Sequence, residues 1–210
     1  FTLEELTSYE LIKNNRDYFF DLKQGNFFLL SLIFLIATIF WVVMAGFGVP
    51  AALLAGFIFG KWVGIIILVV GLSIGATILY VIGNYFFKDM LRKIFSNKFE
   101  NLELKFRKSE FIYLLVYRLV GGIPFAISNV LPCIFNVKIS NFFFATLFGI
   151  TPALFLVVSI GSGLEKIIDQ NLVAPRITDL IYSPDIYIPL LGFFILVIVM
   201  IILRKLFYKK

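Results

Sequence analysis

Histidine is absent from this chain, and cysteine occurs once, as Cys133. A lone cysteine excludes an intrachain disulfide. Without His or a Cys cluster, an N- or S-ligated metal site is not expected, and no cofactor is expected either. Acidic residues are missing from 22–99 except for Asp89, from 111–164 and from 186–210. Ser128 and Ser140 therefore have no acid or His partner in the apolar stretches, and no nucleophile–base pair points to an enzyme. The same absence argues against proton coupling, which ordinarily needs a titratable group at membrane depth. Basic residues are not interleaved with aromatics along a helix, so nucleic acid is not an expected partner.

What the chain does have is long apolar sequence. Only 15% of its residues are charged and 60% are apolar, against about 25% charged in soluble domains. This is an integral membrane protein, and its net charge of +6 reads as loop charge that orients the spans. Residues 1–26 mix charges with apolar residues at helical spacing and read as an interfacial or capping segment, with Thr2 and Glu5 resembling a capping box. Phe27–Ala45 is long enough to span. The stretch 46–60, GFGVPAALLAGFIFG, is too short to span and too rich in glycine for a regular helix. A re-entrant segment is expected there, shaped by Pro50, Gly56 and Gly60. Trp62–Phe87 reads as a second span, with Gly71 and Gly75 forming a small-residue packing face. Residues 88–110 suggest an amphipathic surface helix.

The stretch 111–139 reads either as a full span or as a hairpin that dips in and returns. Sorting the basic residues decides for the hairpin, because that choice collects the N-terminal segment, 88–110, Lys138 and the C-terminal tail on one side, expected to be cytoplasmic. Residues 140–163 then span despite Pro152, 164–185 form an external linker, and 186–210 supply the last span and a basic tail. The expected fold is all-α, with about four full spans and two re-entrant hairpins. Gly48-Val49-Pro50 and Gly122-Ile123-Pro124 each open a segment that runs to a second glycine-rich patch. They predict two repeats, 46–87 and 111–163, of inverted orientation within a membrane core at 27–163. Transporters commonly use this layout.

Arg118 is the only charge expected deep in the membrane. Such an arginine costs at least about 2.5–3.5 kcal/mol. Two readings stay open: it bonds exposed carbonyls of the broken hairpins, or it meets an anion such as a lipid phosphate, which a guanidinium fork grips bidentately. Asn129 and Thr151 are the neutral residues expected beside it.

At YRLVGGIPFAISNVLPCIFNVKISNFFFATLFGITPALFL the chain resembles the DedA-like superfamily of VTT-domain, or SNARE-associated Golgi, proteins, and looks closest to its Tvp-type branch. Arg118, Pro124, Phe125, Asn129, Gly149 and Pro152 carry the resemblance in the second half. Pro50, Ala55, Gly56, Phe59, Gly60 and Gly64 carry it in the first. The resemblance implies re-entrant hairpins in inverted repeats and movement of lipids between leaflets, of undecaprenyl phosphate or of phospholipid. Gly83-Asn84-Tyr85 stands where the family often has Ala-Arg-Tyr, and the membrane acids of the DedA-proper branch are missing. The expected function is an anionic-lipid translocase or scramblase. An ion-coupled small-solute carrier and a non-transporting membrane organiser are the alternatives. Membrane lipids are the expected partners, a homo-oligomer is left open, and the expected location is a bacterial plasma (inner) membrane with both termini cytoplasmic.

Overall fold

The computed structural model describes residues 9–86, 88, 90, 109–120, 124–170, 182 and 184–208. These residues are almost wholly helical: α1 (Tyr9–Val43), α2 (Gly48–Phe86), α3 (Glu110–Val120), α4 (Phe125–Val130), α5 (Ile139–Gln170) and α6 (Pro184–Tyr208), with a 3-10 helix at Leu131–Phe135 following α4. Gly25–Val43, Gly48–Phe86 and Ile139–Lys166 are each long and apolar enough to cross a bilayer. The all-α membrane class expected from composition is thus met. The Thr2–Glu5 capping box, most of the expected surface helix at 88–110 and the linker from 171 to 181 lie outside the described residues. Residues 164–170, expected in that linker, instead continue α5.

Two backbone breaks decide where the helices turn. At Asn26 the backbone leaves helical geometry (φ −157°, ψ 78°), and Asn26 Oδ1 accepts the Leu29 N–H at 3.1 Å. That is an N-cap, so the apolar helix restarts at Phe27. At Gly60 the backbone has positive φ with extended ψ (φ 75°, ψ 175°), a conformation essentially confined to glycine, where a β-carbon costs about 1–3 kcal/mol. The chain reverses there, and Gly64 packs against the Ala55 carbonyl and the Gly56 N–H. In a straight helix those residues would lie about 12–14 Å apart. Gly48–Phe59 thus returns antiparallel to Lys61–Phe86, bringing Gly48 beside Leu72. Gly60→Ala and Gly60→Asn are each expected to lower stability by about 1–3 kcal/mol, when thermal unfolding is followed in detergent.

This differs from the sequence expectation in two ways. The stretch 46–60 is not too broken for a helix; Gly48–Phe59 is continuously helical, because Gly56 is used for close packing and only Gly60 turns the chain. The second difference is direction. Leu35 O and Thr38 lie against Gly71, and Ile39 O and Val42 against Gly75. Here α1 packs on the expected small-residue face, but it runs the same way as Lys61–Phe86. A full span at 27–45 followed by a short hairpin would have opposed them. The turning unit is α1 together with Gly48–Phe59. At its tip Ala45 is left-handed (φ 63°) and the Trp41 indole N–H donates to Phe47 O at 2.9 Å. Phe27 therefore sits with Phe59 (ring centroids 6.1 Å apart) at one end of the bundle. Lys88 and Glu110 sit at the other end, so the start of α1 does not share the end at which 88–110 begins.

The second half follows the same plan. Glu110 Oε2 accepts the Lys138 N–H at 3.3 Å and the Asn141 Nδ2–H at 2.8 Å, capping the start of α5. Leu115 O and Arg118 lie against Gly149, so α3 and α5 run in parallel. The segment from α4 through the 3-10 helix connects them and ends at Asn136, left-handed (φ 50°, ψ 51°) and, like Gly60, at positive φ. Lys88 Nζ donates to Asn136 Oδ1 at 2.7 Å.

The long helices of the two halves are antiparallel. Trp62 meets Phe155 at 5.4 Å. Near the opposite end, Tyr80 stacks on Phe142 at 4.5 Å and donates to Val137 O at 2.6 Å. Each returning segment packs on the long helix of the other half: Gly56 on Val158 O, Leu53 O on Gly161, and Val130 and Cys133 on Gly83. Leu68, Leu72, Tyr80, Leu114, Phe142 and Val158 are fully buried in the core, while Phe28, Phe40, Ile66, Phe148 and Phe194 are exposed. An apolar outside suits contact with lipid.

Candidate functional site

Arg118 stands in the last turn of α3. Its backbone approaches α5 at Gly149, where a β-carbon would overlap that of Arg118. Only glycine leaves room for α3 to lie this close, so Gly149 sets the depth at which the guanidinium enters the core. The side chain is 7% exposed. Nε donates to Thr146 Oγ1 at 3.1 Å, Nη1 to Ser128 Oγ at 2.8 Å and Nη2 to Asn129 Oδ1 at 2.8 Å. Aromatic rings surround the fork: Phe142 lies 5.0 Å from the guanidinium carbon, Phe125 5.7 Å and Tyr117 5.9 Å. Ring faces attract a cation, but every hydrogen-bond acceptor in the set is a neutral oxygen.

The acceptors are themselves held. Ser128 Oγ–H donates to Phe125 O at 2.7 Å, which fixes its lone pairs toward Arg118. Asn129 is fully buried. Arg118 thus ties the returning segment to both parallel helices, through side-chain oxygens rather than the open carbonyls that one of the two sequence readings gave it.

Of the three expected site residues, Arg118 and Asn129 come together and Thr151 does not. The Thr151 hydroxyl donates to Leu147 O in its own helix. Thr146 takes the expected place, because it lies three residues before Gly149 and so on the same helix face. Ser128 and Thr146 were not among the expected site residues; helical spacing from Gly149 is the signal that finds Thr146. Among the hairpin residues, Pro124 is the N-cap of α4, Phe125 lines the guanidinium, and Pro152 is carried inside α5. Pro50 lies in the first turn of α2, where proline's missing N–H is no loss. Among the described residues no group of three or more His, Cys, Asp or Glu could hold a metal.

The first half offers an instructive counterpart. Val42 and Ile39 O meet Gly75 in the way that Arg118 and Leu115 O meet Gly149. The same seat is apolar in one half and cationic in the other.

The chain is 29% identical over 191 residues to the uncharacterized protein YqeD of Bacillus subtilis (strain 168), covering 88% of this chain and 82% of that protein. It is 29% identical over 145 residues to the Transmembrane protein 41 homolog of Dictyostelium discoideum, covering 64% of this chain and 43% of the relative. It is 24% identical over 152 residues to the Transmembrane protein 41 homolog of Caenorhabditis elegans, covering 69% and 61%. The chain thus matches less than two thirds of the length of either Transmembrane protein 41 homolog. No solved structure matches it. The VTT domain matches residues 47–163, more than half of the chain and the whole of the Arg118 cluster, and the protein belongs to the VTT-domain family within the DedA/VTT superfamily.

Proposed function

We propose that this protein moves an anionic lipid between leaflets, as a translocase or scramblase, with the headgroup phosphate drawn to Arg118. The observation that carries this reading is a guanidinium buried in the core, whose hydrogen bonds go only to neutral oxygens. Its charge is left to attract an anion in a medium where Coulomb attraction is weakly screened. Membership of the VTT family supports the lipid class, since several members of that family are linked to lipid movement.

In this reading α1 with Gly48–Phe59, and α3 with 124–135, are re-entrant hairpins of an inverted repeat. They dip in from opposite faces, and the long helices Lys61–Phe86 and Ile139–Gln170 span. The antiparallel long helices, the matching glycine seats and the positive-φ turns at Gly60 and Asn136 support that arrangement. Lys61–Phe86 would be about 39 Å long, ample for a hydrocarbon core of about 30 Å.

The experiment is reconstitution of the pure protein in liposomes carrying a trace of leaflet-labelled lipid. Exchange of undecaprenyl phosphate or a labelled anionic phospholipid is expected well above that of empty liposomes. Exchange at the empty-liposome rate for all of these lipids would remove the proposal and leave a non-transporting organiser as the better reading.

A further inference from the structure

One polar atom of the Arg118 cluster has no partner. Asn129 is fully buried, its Oδ1 accepts Arg118 Nη2, and its Nδ2 makes no hydrogen bond. A buried amide donor left without a partner keeps its full desolvation cost. Turning the amide over offers no relief, because it would set the NH2 group against the guanidinium N–H it now accepts from. Nδ2 is thus fixed in orientation. Covalent geometry holds it within about 5 Å of Nη2. A guanidinium has five N–H bonds, and Arg118 uses three of them on Thr146, Ser128 and Asn129. An unused amide donor and spare guanidinium donors therefore stand side by side, beside a positive charge that no carboxylate in 111–164 can neutralise.

We infer that Asn129 Nδ2 and Arg118 form a two-donor seat for one oxygen-rich anion, a phosphate group, and that Asn129 is the specificity-determining residue of the site. A neutral oxygen would satisfy the amide but leave the charge unmet, whereas a phosphate presents several acceptor oxygens and negative charge together. The phosphate comes either from a lipid headgroup or from free phosphate. The first half has no such seat, since Val42 occupies the position equivalent to Arg118, so the inference gives one seat per chain. It rests on the proposed function for its lipid source but not for its chemistry.

The test uses the full chain in detergent and follows thermal stabilisation by three probes: inorganic phosphate, a short-chain phosphatidic acid and the matching diacylglycerol. Asn129→Asp is the decisive variant. It keeps the acceptor for Arg118 and nearly the same shape, but replaces the free donor with a carboxylate. The wild type is expected to be stabilised by one or both phosphate probes and not by diacylglycerol. Response to phosphatidic acid alone assigns the headgroup source, and response to inorganic phosphate shows that free phosphate enters. Asn129→Asp gives Arg118 a counter-charge as well as removing the donor, so its unliganded melting temperature is expected to hold or rise, while apparent affinity falls roughly tenfold to a hundredfold.

Asn129→Ala, which removes the donor without adding a charge, is compared in the same way, with at least about a tenfold loss expected. Unchanged affinity in the variant, equal stabilisation by diacylglycerol, or no stabilisation of the wild type by any probe overturns the inference. Leaflet exchange separates the two proposals: exchange by wild type that Asn129→Asp leaves untouched removes the seat and keeps the translocase, whereas phosphate binding without exchange does the opposite.

Discussion

Gly56→Leu and Gly161→Leu are each expected to abolish the folded protein, seen as loss of the monodisperse peak in detergent and of cooperative thermal unfolding. A β-carbon at Gly56 would overlap Val158 O, and one at Gly161 would overlap Leu53 O. Both obstacles are backbone atoms of helices, which cannot move aside by changing rotamer. Ordinary overpacking costs about 1–3 kcal/mol, with neighbours that yield. Here the only relief is separation of Gly48–Phe59 from α5, and that contact joins the two halves of the molecule. Close backbone approach through small residues is the main source of helix association in a bilayer, where apolar burial adds little. Gly25→Leu is the control: nothing lies within 4 Å of a β-carbon there, and it is expected to leave folding unchanged. Retention of the wild-type melting temperature by Gly56→Leu would mean that the two halves are not held at this contact.

The sequence made the membrane class, the helix starts at Phe27 and after Gly60, and the prominence of Arg118 legible, each for a local reason. Apolar length announces a bilayer helix, a glycine next to a lysine announces a turn, and one charge in an acid-free apolar run stands out. What escaped was set by tertiary contact. Thr146 is 28 residues from Arg118 and is one of many hydroxyls that an apolar helix tolerates. Thr151 drew attention because it neighbours Gly149 and Pro152 in sequence. Five residues from Thr146, however, it is turned by about 140° around the helix. The direction of α1 escaped for a related reason. Charge sorting compares loops, and it carries no information on which way a helix runs beside the helix it packs on. The small-residue face at Gly71 and Gly75 was legible, but which helix it receives, and in which direction, depends on the turn at Gly60.

Arg118→Leu is expected to stop lipid exchange while leaving the melting temperature within a few degrees of wild type. The two halves of that expectation come from separate magnitudes. Arg118 makes three side-chain hydrogen bonds. Such bonds in a membrane protein average about 0.6 kcal/mol each, or about 2 kcal/mol together. Placing the arginine at depth costs about 2.5–3.5 kcal/mol. The clamp therefore does not by itself offset the charge, and a leucine of comparable reach removes both terms. Two of the three orphaned oxygens are not stranded: the Ser128 hydroxyl keeps its bond to Phe125 O, and the Thr146 hydroxyl can turn to a carbonyl of its own helix, as Thr151 already does to Leu147 O. Only Asn129 Oδ1 loses its partner, at about 1–3 kcal/mol, which roughly cancels the gain from removing the charge. A guanidinium that contributes so little to stability fits the proposed headgroup role. Arg118→Lys keeps the charge but not the fork, and is expected to retain a fraction of the exchange rate, at least about tenfold below wild type. The readouts are exchange in liposomes and thermal unfolding of the same preparations. A large fall in melting temperature for Arg118→Leu, with exchange falling only in proportion to folded protein, would make Arg118 a structural clamp. Exchange at the wild-type rate would remove it from the headgroup path altogether.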